Sequence, residues 1–185
     1  MASETGPTPI TRGRGPRTVR ADDIVAEVGR LMTGTTVADV YRARVLSDRT
    51  RRYELNLAKP PANVEILHTL LGIELKVGRR RLLCPDLATA RFLQVFARLG
   101  VGVVAIPYDI TQVSRAADEL ESAWHRALLL AEHASAGRSD RLRARVRRAL
   151  AAQLREAVVA AGAGSKRPAF LQSTRQRAPG GSARG

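Results

Sequence analysis

A chain of 185 residues is long enough for one domain of ordinary size with tails; at 44% apolar it can bury a sizeable core, and at 4% aromatic that core must be mostly Leu, Val and Ala. A single cysteine, Cys84, excludes an internal disulfide and a cysteine metal cage and fits a reducing, cytoplasmic setting. No apolar run approaches the ~20 residues of a membrane span, no signal-peptide core opens the chain, and the net charge of +14 turns attention to polyanionic partners.

Residues 1–20, rich in Gly, Pro, Thr and Arg, read as a disordered basic arm, because they cannot bury enough apolar surface to offset ordering entropy. Asp22 is placed to cap a short helix with Ile24, Val25, Val28, Leu31 and Met32 on its apolar face, ending at Gly34. In VADVYRARVL, Tyr41, Ala43 and Val45 alternate with Arg42 and Arg44. After the polar SDRT turn, Tyr53, Leu55 and Leu57 alternate with Arg52, Glu54 and Asn56. Period two on both sides of a turn predicts a β-hairpin, stopped at Lys59-Pro60-Pro61.

Residues 64–71 (VEILHTLL) fit two templates. A helix puts Val64, Leu67, Leu70 and Leu71 on one face; a strand sets Val64, Ile66 and His68 against Glu65 and Leu67. IELKV, then Gly78-Arg79, then RRLLCP reads as strand, tight turn, strand, or as one strand with a loop. Asp86 caps a helix rich in Leu, Ala and Phe that stops at Gly100, and VVAIPY follows as a strand buried on both faces. A long helix is expected over about 112–135 and another, capped by Ser139, over about 140–161, with Leu142, Val146, Leu150, Leu154 and Val158 on one stripe. Residues 162–185 read as a disordered Gly/Ser/Arg tail.

Charge is concentrated at the ends. Residues 1–20 hold four Arg against one Glu, residues 138–155 seven Arg against Asp140, and residues 162–185 five Lys or Arg and no acid. Such clusters suit a phosphate backbone, which releases counterions as it meets Arg; they equally suit a solvated surface. Two further groups lie at turns: Arg49, Arg51 and Arg52, and Arg79, Arg80 and Arg81. His68, His125 and His133 have no metal-ligand spacing, Cys84 reads as a buried thiol, and Trp124 as core. The sequence shows no run of exposed aromatics on which single strands would stack.

Glu74 and Lys76 lie two apart in IELKV, with a helix and then a buried strand behind them. This arrangement resembles the PD-(D/E)XK nuclease superfamily, nearest to Holliday-junction-resolvase-like and VRR-NUC-like domains, over roughly residues 62–108. The resemblance implies that Glu74 binds a hard divalent cation, magnesium, and that Lys76 places or activates the attacking water. It implies a second acid on the preceding strand. Asn63 stands at that position, and Glu65 takes the part only if 64–71 is a strand and Glu65 shares a face with Glu74. The residue types suit the chemistry: cations offset phosphodiester charge, and residues two apart on a strand point the same way.

The expected fold is therefore α/β or α+β: a central mixed sheet with flanking helices, two C-terminal helices and disordered basic tails. A single domain spans 21–161, with a nuclease-like core about 37–108 and a helical pair about 112–161. The expected function is nucleic-acid binding, backbone-driven and weakly sequence-specific, on a core that either cleaves with magnesium or is degenerate. Glu74, Lys76 and Glu65 would be catalytic, Glu74 and Glu65 would hold the metal, and Arg79, Arg80, Arg81, Arg141, Arg145 and Arg148 would meet phosphate. The alternative is a non-enzymatic adaptor that binds a protein through the helical pair.

Overall fold

In chain order the elements are α1 (Ala21–Leu31), α2 (Val37–Val40) running into a π-helical turn (Tyr41–Val45), β1 (Thr50–Glu54), β2 (Val64–Thr69), β3 (Gly72–Val77), β4 (Arg80–Cys84), α3 (Leu87–Leu99), β5 (Val103–Pro107), α4 (Ile110–Ala134) and α5 (Asp140–Ala160). They come from a computed structural model that describes residues 19–55, 57, 61 and 63–164. The expected arms at 1–18 and 165–185, Asn56 and the Lys59-Pro60 step lie outside the described residues.

Helix starts follow their caps. Asp86 accepts the Thr89 N–H at 2.6 Å, Asp109 the Thr111 N–H at 2.8 Å, and Ser139 the Leu142 N–H at 3.4 Å. Gly100 closes α3 in the left-handed region, at φ 72°. The first helix differs from expectation. Its cap is Arg20, whose N–H donates to Asp23 at 3.1 Å, so Asp22 is an ordinary first-turn residue.

The N-terminal half of the expected hairpin is helical. Thr36 and Asp39 form a reciprocal cap, with Thr36 N–H to the Asp39 carboxylate at 3.0 Å and Asp39 N–H to Thr36 Oγ1 at 3.2 Å. Val37, Ala38, Tyr41 and Val45 are all buried, a helical spacing that outweighs the alternation of Tyr41, Ala43 and Val45. The π turn follows from Leu46 N–H donating to Tyr41 O, five residues back, at 3.2 Å.

The described residues mix helices and strands, with two helices last in order, as the sequence predicts. Its strands form two antiparallel sheets and not one central mixed sheet: a β2-β3-β4 meander and a β1-β5 pair. β4 and β5, on either side of α3, therefore lie in different sheets. One edge of β5 pairs with β1. On the other edge the Ala105 N–H donates to the buried Tyr41 hydroxyl at 3.0 Å, so a side chain from the π turn stands where a further strand would pair.

Residues 64–69 are a strand. The alternative helix would have placed Leu70 and Leu71 on its apolar face, whereas both are exposed at the β2–β3 turn. β3 supplies the pairing partner, and Gln94 of α3, itself buried, donates from Nε2 to Val64 O at 3.3 Å. One face of the meander, with Val64, Leu75, Val77 and Cys84 buried and Ile66 and Leu82 half-buried, packs on α3. α3 packs along α4, and α5 along α1. The apolar stripes of the helical pair are turned into the fold: Val113, Leu120, Trp124 and Ala131 are buried on α4, and of the stripe predicted for α5 Val146, Leu150, Leu154 and Val158 are buried and Leu142 half-buried. The chain also continues in order past 161. Ala163 is buried and Gly164 N–H donates to Val103 O at 2.6 Å, so the expected tail does not start at 162.

Candidate functional site

Register builds the sheet's outer face. Glu65 lies opposite Lys76, which lies opposite Arg81; Leu67 lies opposite Glu74, which lies opposite Leu83. Directly opposed residues share a face, as do residues two apart on one strand. Glu65, Glu74, Lys76 and Arg81 are therefore neighbours on the face turned away from α3. The condition the sequence set for Glu65, a strand with the same facing as Glu74, is met.

The charges on this face are joined in two ion pairs. Lys76 Nζ is 3.2 Å from Glu65 Oε2, and Asn63 Nδ2 donates to Glu65 Oε1 at 2.6 Å. The Asn63 hydrogen bond, with Lys76 adding a hydrogen bond and its charge, holds the Glu65 carboxyl below the usual carboxylate range. Arg81 Nη1 is 3.3 Å from Glu74 Oε2, and the Thr69 hydroxyl is 3.4 Å from Glu74 Oε1. Glu74 is only 7% exposed although its face is the outer one. The Leu67 and Leu83 side chains lie on either side of it.

Magnesium takes carboxylates free to turn toward it, completes six oxygens with water and substrate, and tolerates little distortion. Here Glu65 is held by Lys76 and Asn63, and Glu74 by Arg81, while the single proton of the Thr69 hydroxyl has a nearer acceptor in Gly72 O at 3.1 Å than in Glu74 at 3.4 Å. Among the described residues, no group of three His, Cys, Asp or Glu comes together that would hold a metal.

Of the residues expected to meet phosphate, Arg79 and Arg80 are exposed at the β3–β4 turn, while Arg81 is exposed and engaged with Glu74. Arg141, Arg145 and Arg148 are exposed on α5. At 100° per residue they lie on one stripe with Arg155, opposite the buried stripe of Val146, Leu150, Leu154 and Val158. The intervening positions Ala144, Ala152 and Val159 carry no acid, and the exposed Glu156 borders the stripe about 20° from the line of Arg145. Of the acids of α4, Asp118 and Glu121 bind Arg91 of α3 at 2.8 and 2.5 Å, Glu119 binds Arg44 at 2.9 Å, and Glu132 binds Arg147 of α5, which lies off the stripe, at 2.8 Å.

The β1–β5 end holds a group the sequence reading missed. Tyr108 completes VVAIPY, which the sequence predicts as a strand buried on both faces, yet its side chain is exposed. The guanidinium carbons of Arg49 and Arg51 lie 5.3 and 5.9 Å from its ring centre. The signal in the sequence was Pro107, which ends the strand and leaves the next residue at the surface.

The remaining candidates are structural. His68, His125 and His133 are exposed. Trp124 is buried. Cys84 is buried, and loss of hydration pushes its thiol up to about 11, so it is not a thiolate nucleophile at neutral pH. Among the described residues no helix is long and apolar enough to cross a membrane.

No protein-family model, curated protein or solved structure matches the chain.

Proposed function

We propose that the protein binds nucleic acid through the phosphate backbone, with little dependence on sequence, and that the nuclease-like sheet face does not cleave it. One observation carries this reading. Arg141, Arg145, Arg148 and Arg155 form a stripe along α5, turned away from the core, with Glu156 the one acid at its edge. From the first to the last the stripe spans about 21 Å of helix axis, about six phosphate steps of a DNA strand. A solvated helix needs charge on its outer face, but it gains from charges of both signs at i,i+4 spacing, and here Arg141 and Arg145 are a like-charged i,i+4 pair. The non-cleaving half of the reading rests on the two ion pairs at Glu65 and Glu74.

A protein partner on the helical pair would have to use the same outer surface, because the apolar stripes of α4 and α5 are covered within the fold. The arginines there favour an anion over an apolar partner.

The test is fluorescence anisotropy of a labelled DNA duplex across a salt series. Affinity should fall by roughly 10³ or more between ~50 and ~200 mM salt. The triple variant Arg141→Gln, Arg145→Gln, Arg148→Gln should bind more weakly and lower the log–log salt slope by about 3, near 0.9 for each contact removed. Wild-type binding that is absent or salt-independent, or a triple variant with an unchanged slope, would refute the proposal.

A further inference from the structure

We infer that Tyr108, Arg49 and Arg51 form a site for an unpaired nucleotide of a single strand, with the base stacked on the Tyr108 ring and the flanking phosphates on the two guanidiniums. This rests on the nucleic-acid reading above and adds what it leaves open, the strandedness of the ligand.

The backbone builds the site. The β1–β5 ladder runs one step past its last paired residues, where Tyr108 N–H donates to Arg49 O at 3.2 Å. Arg49 thus stands opposite Tyr108, and Arg51, two residues on, lies on the same side. Both guanidiniums are within the ~6 Å at which a cation feels the ring's negative face. The ring remains 59% exposed, and Ile110, 50% exposed, stands two residues further along the chain.

The site's charge is unbalanced. Among the described residues no ion pair joins Arg49 or Arg51 to a carboxylate. Asp109, next to Tyr108, uses its side chain to cap α4 through the Thr111 N–H at 2.8 Å, and Asp48, next to Arg49, makes no ion pair with either guanidinium. Arg52, on the opposite face of the strand, is paired with Glu54. Two like charges are therefore gathered on one exposed ring with no carboxylate paired to either. The ligand that complements them is both planar and at least doubly anionic. A nucleotide within a strand is both, since it has a base with a π-face and a phosphate on either side. A duplex is not, because its bases are already stacked on each other.

The experiment uses the full chain and three probes: a labelled single strand of about 15 nucleotides, a duplex, and a free mononucleotide. Tyr108→Ala should weaken single-strand binding by about 5- to 150-fold, the loss of one stacked base, while duplex affinity changes less than about twofold. Tyr108→Phe, which keeps the π-face, should retain single-strand binding, and Arg49→Gln should weaken it. The unchanged duplex affinity of Tyr108→Ala also serves as its folding control. Single-strand affinity unmoved by Tyr108→Ala, equal losses on both forms, a Phe variant as weak as the Ala variant, or a mononucleotide bound as tightly as the strand would each overturn the inference. If the duplex binds through the α5 stripe and Tyr108→Ala leaves the single strand unchanged, only this inference falls. If the wild type binds neither polymer, the functional reading beneath it falls as well.

Discussion

Among the described residues Glu74 is the only charged side chain that is buried. It sits on the outer face of a sheet, between two leucines, with its charge met by Arg81 at 3.3 Å and its other oxygen by Thr69 at 3.4 Å. Such a carboxylate is expensive to strand and cheap to replace. Arg81→Ala should lower stability by about 1–2 kcal/mol, less than for a fully buried pair because the guanidinium is largely in solvent. Glu74→Leu should be neutral or stabilising, since Leu67 and Leu83 would close over it. Urea unfolding of the two variants checks both, and a Glu74→Leu loss as large as that of Arg81→Ala would show the pair to be a net stabiliser. The same saturation of charge predicts the chemistry. With magnesium added, labelled duplex, single-stranded and branched DNA should remain intact. Cleavage by the wild type that is lost in both Glu74→Ala and Lys76→Ala would instead make this face a nuclease centre. Glu65 has a pH signature whose sign follows from its lowered pKa. Its contribution to stability is full above the ordinary carboxylate range and is lost as pH falls through its lower, folded-state value.

Elements were legible where the signal is local. Asp86, Ser139 and Gly100 mark helix ends in the sequence and do so in the structure, because a cap involves residues within one turn of each other. The β3–β4 hairpin was legible for the same reason, its turn carried by Gly78 at φ 61°. Val37–Val45 was misread. Three alternating residues fit a strand, but Thr36 and Asp39 form a capping box, and that local signal carried the better information. Residues 64–71 were undecidable because an eight-residue apolar run has no intrinsic preference that survives packing; β3 and Gln94 decided it. At this scale the packing of α5 on α1 is the contact most open to test. Leu150 is 2% exposed on the stripe that meets α1, and Leu150→Ala should cost about 2–5 kcal/mol by urea or thermal unfolding. A loss below about 1 kcal/mol would mean that α5 is not docked as described.

At the scale of the whole molecule, a core of helices and two small sheets presents basic groups on separate surfaces: the α5 stripe, the β3–β4 turn and the Tyr108 end of the β1–β5 pair. The salt dependence proposed above belongs to this scale, because counterion release sums over every arginine that meets phosphate. Taken alone, the sequence determined the composition of the core, the basic ends, most helix boundaries and the shared direction of Glu74 and Lys76. Each of these depends on residue type or on neighbours a few positions apart. The tertiary structure alone decided that β4 and β5 part into different sheets, that Glu65 joins Glu74 on one face, that Arg81 and Lys76 neutralise both, and that Tyr108 stands exposed beneath two arginines. Those facts depend on which strand edges meet and which side chains are covered. Hydrogen bonding and burial between residues tens of positions apart set them, and no local pattern encodes that.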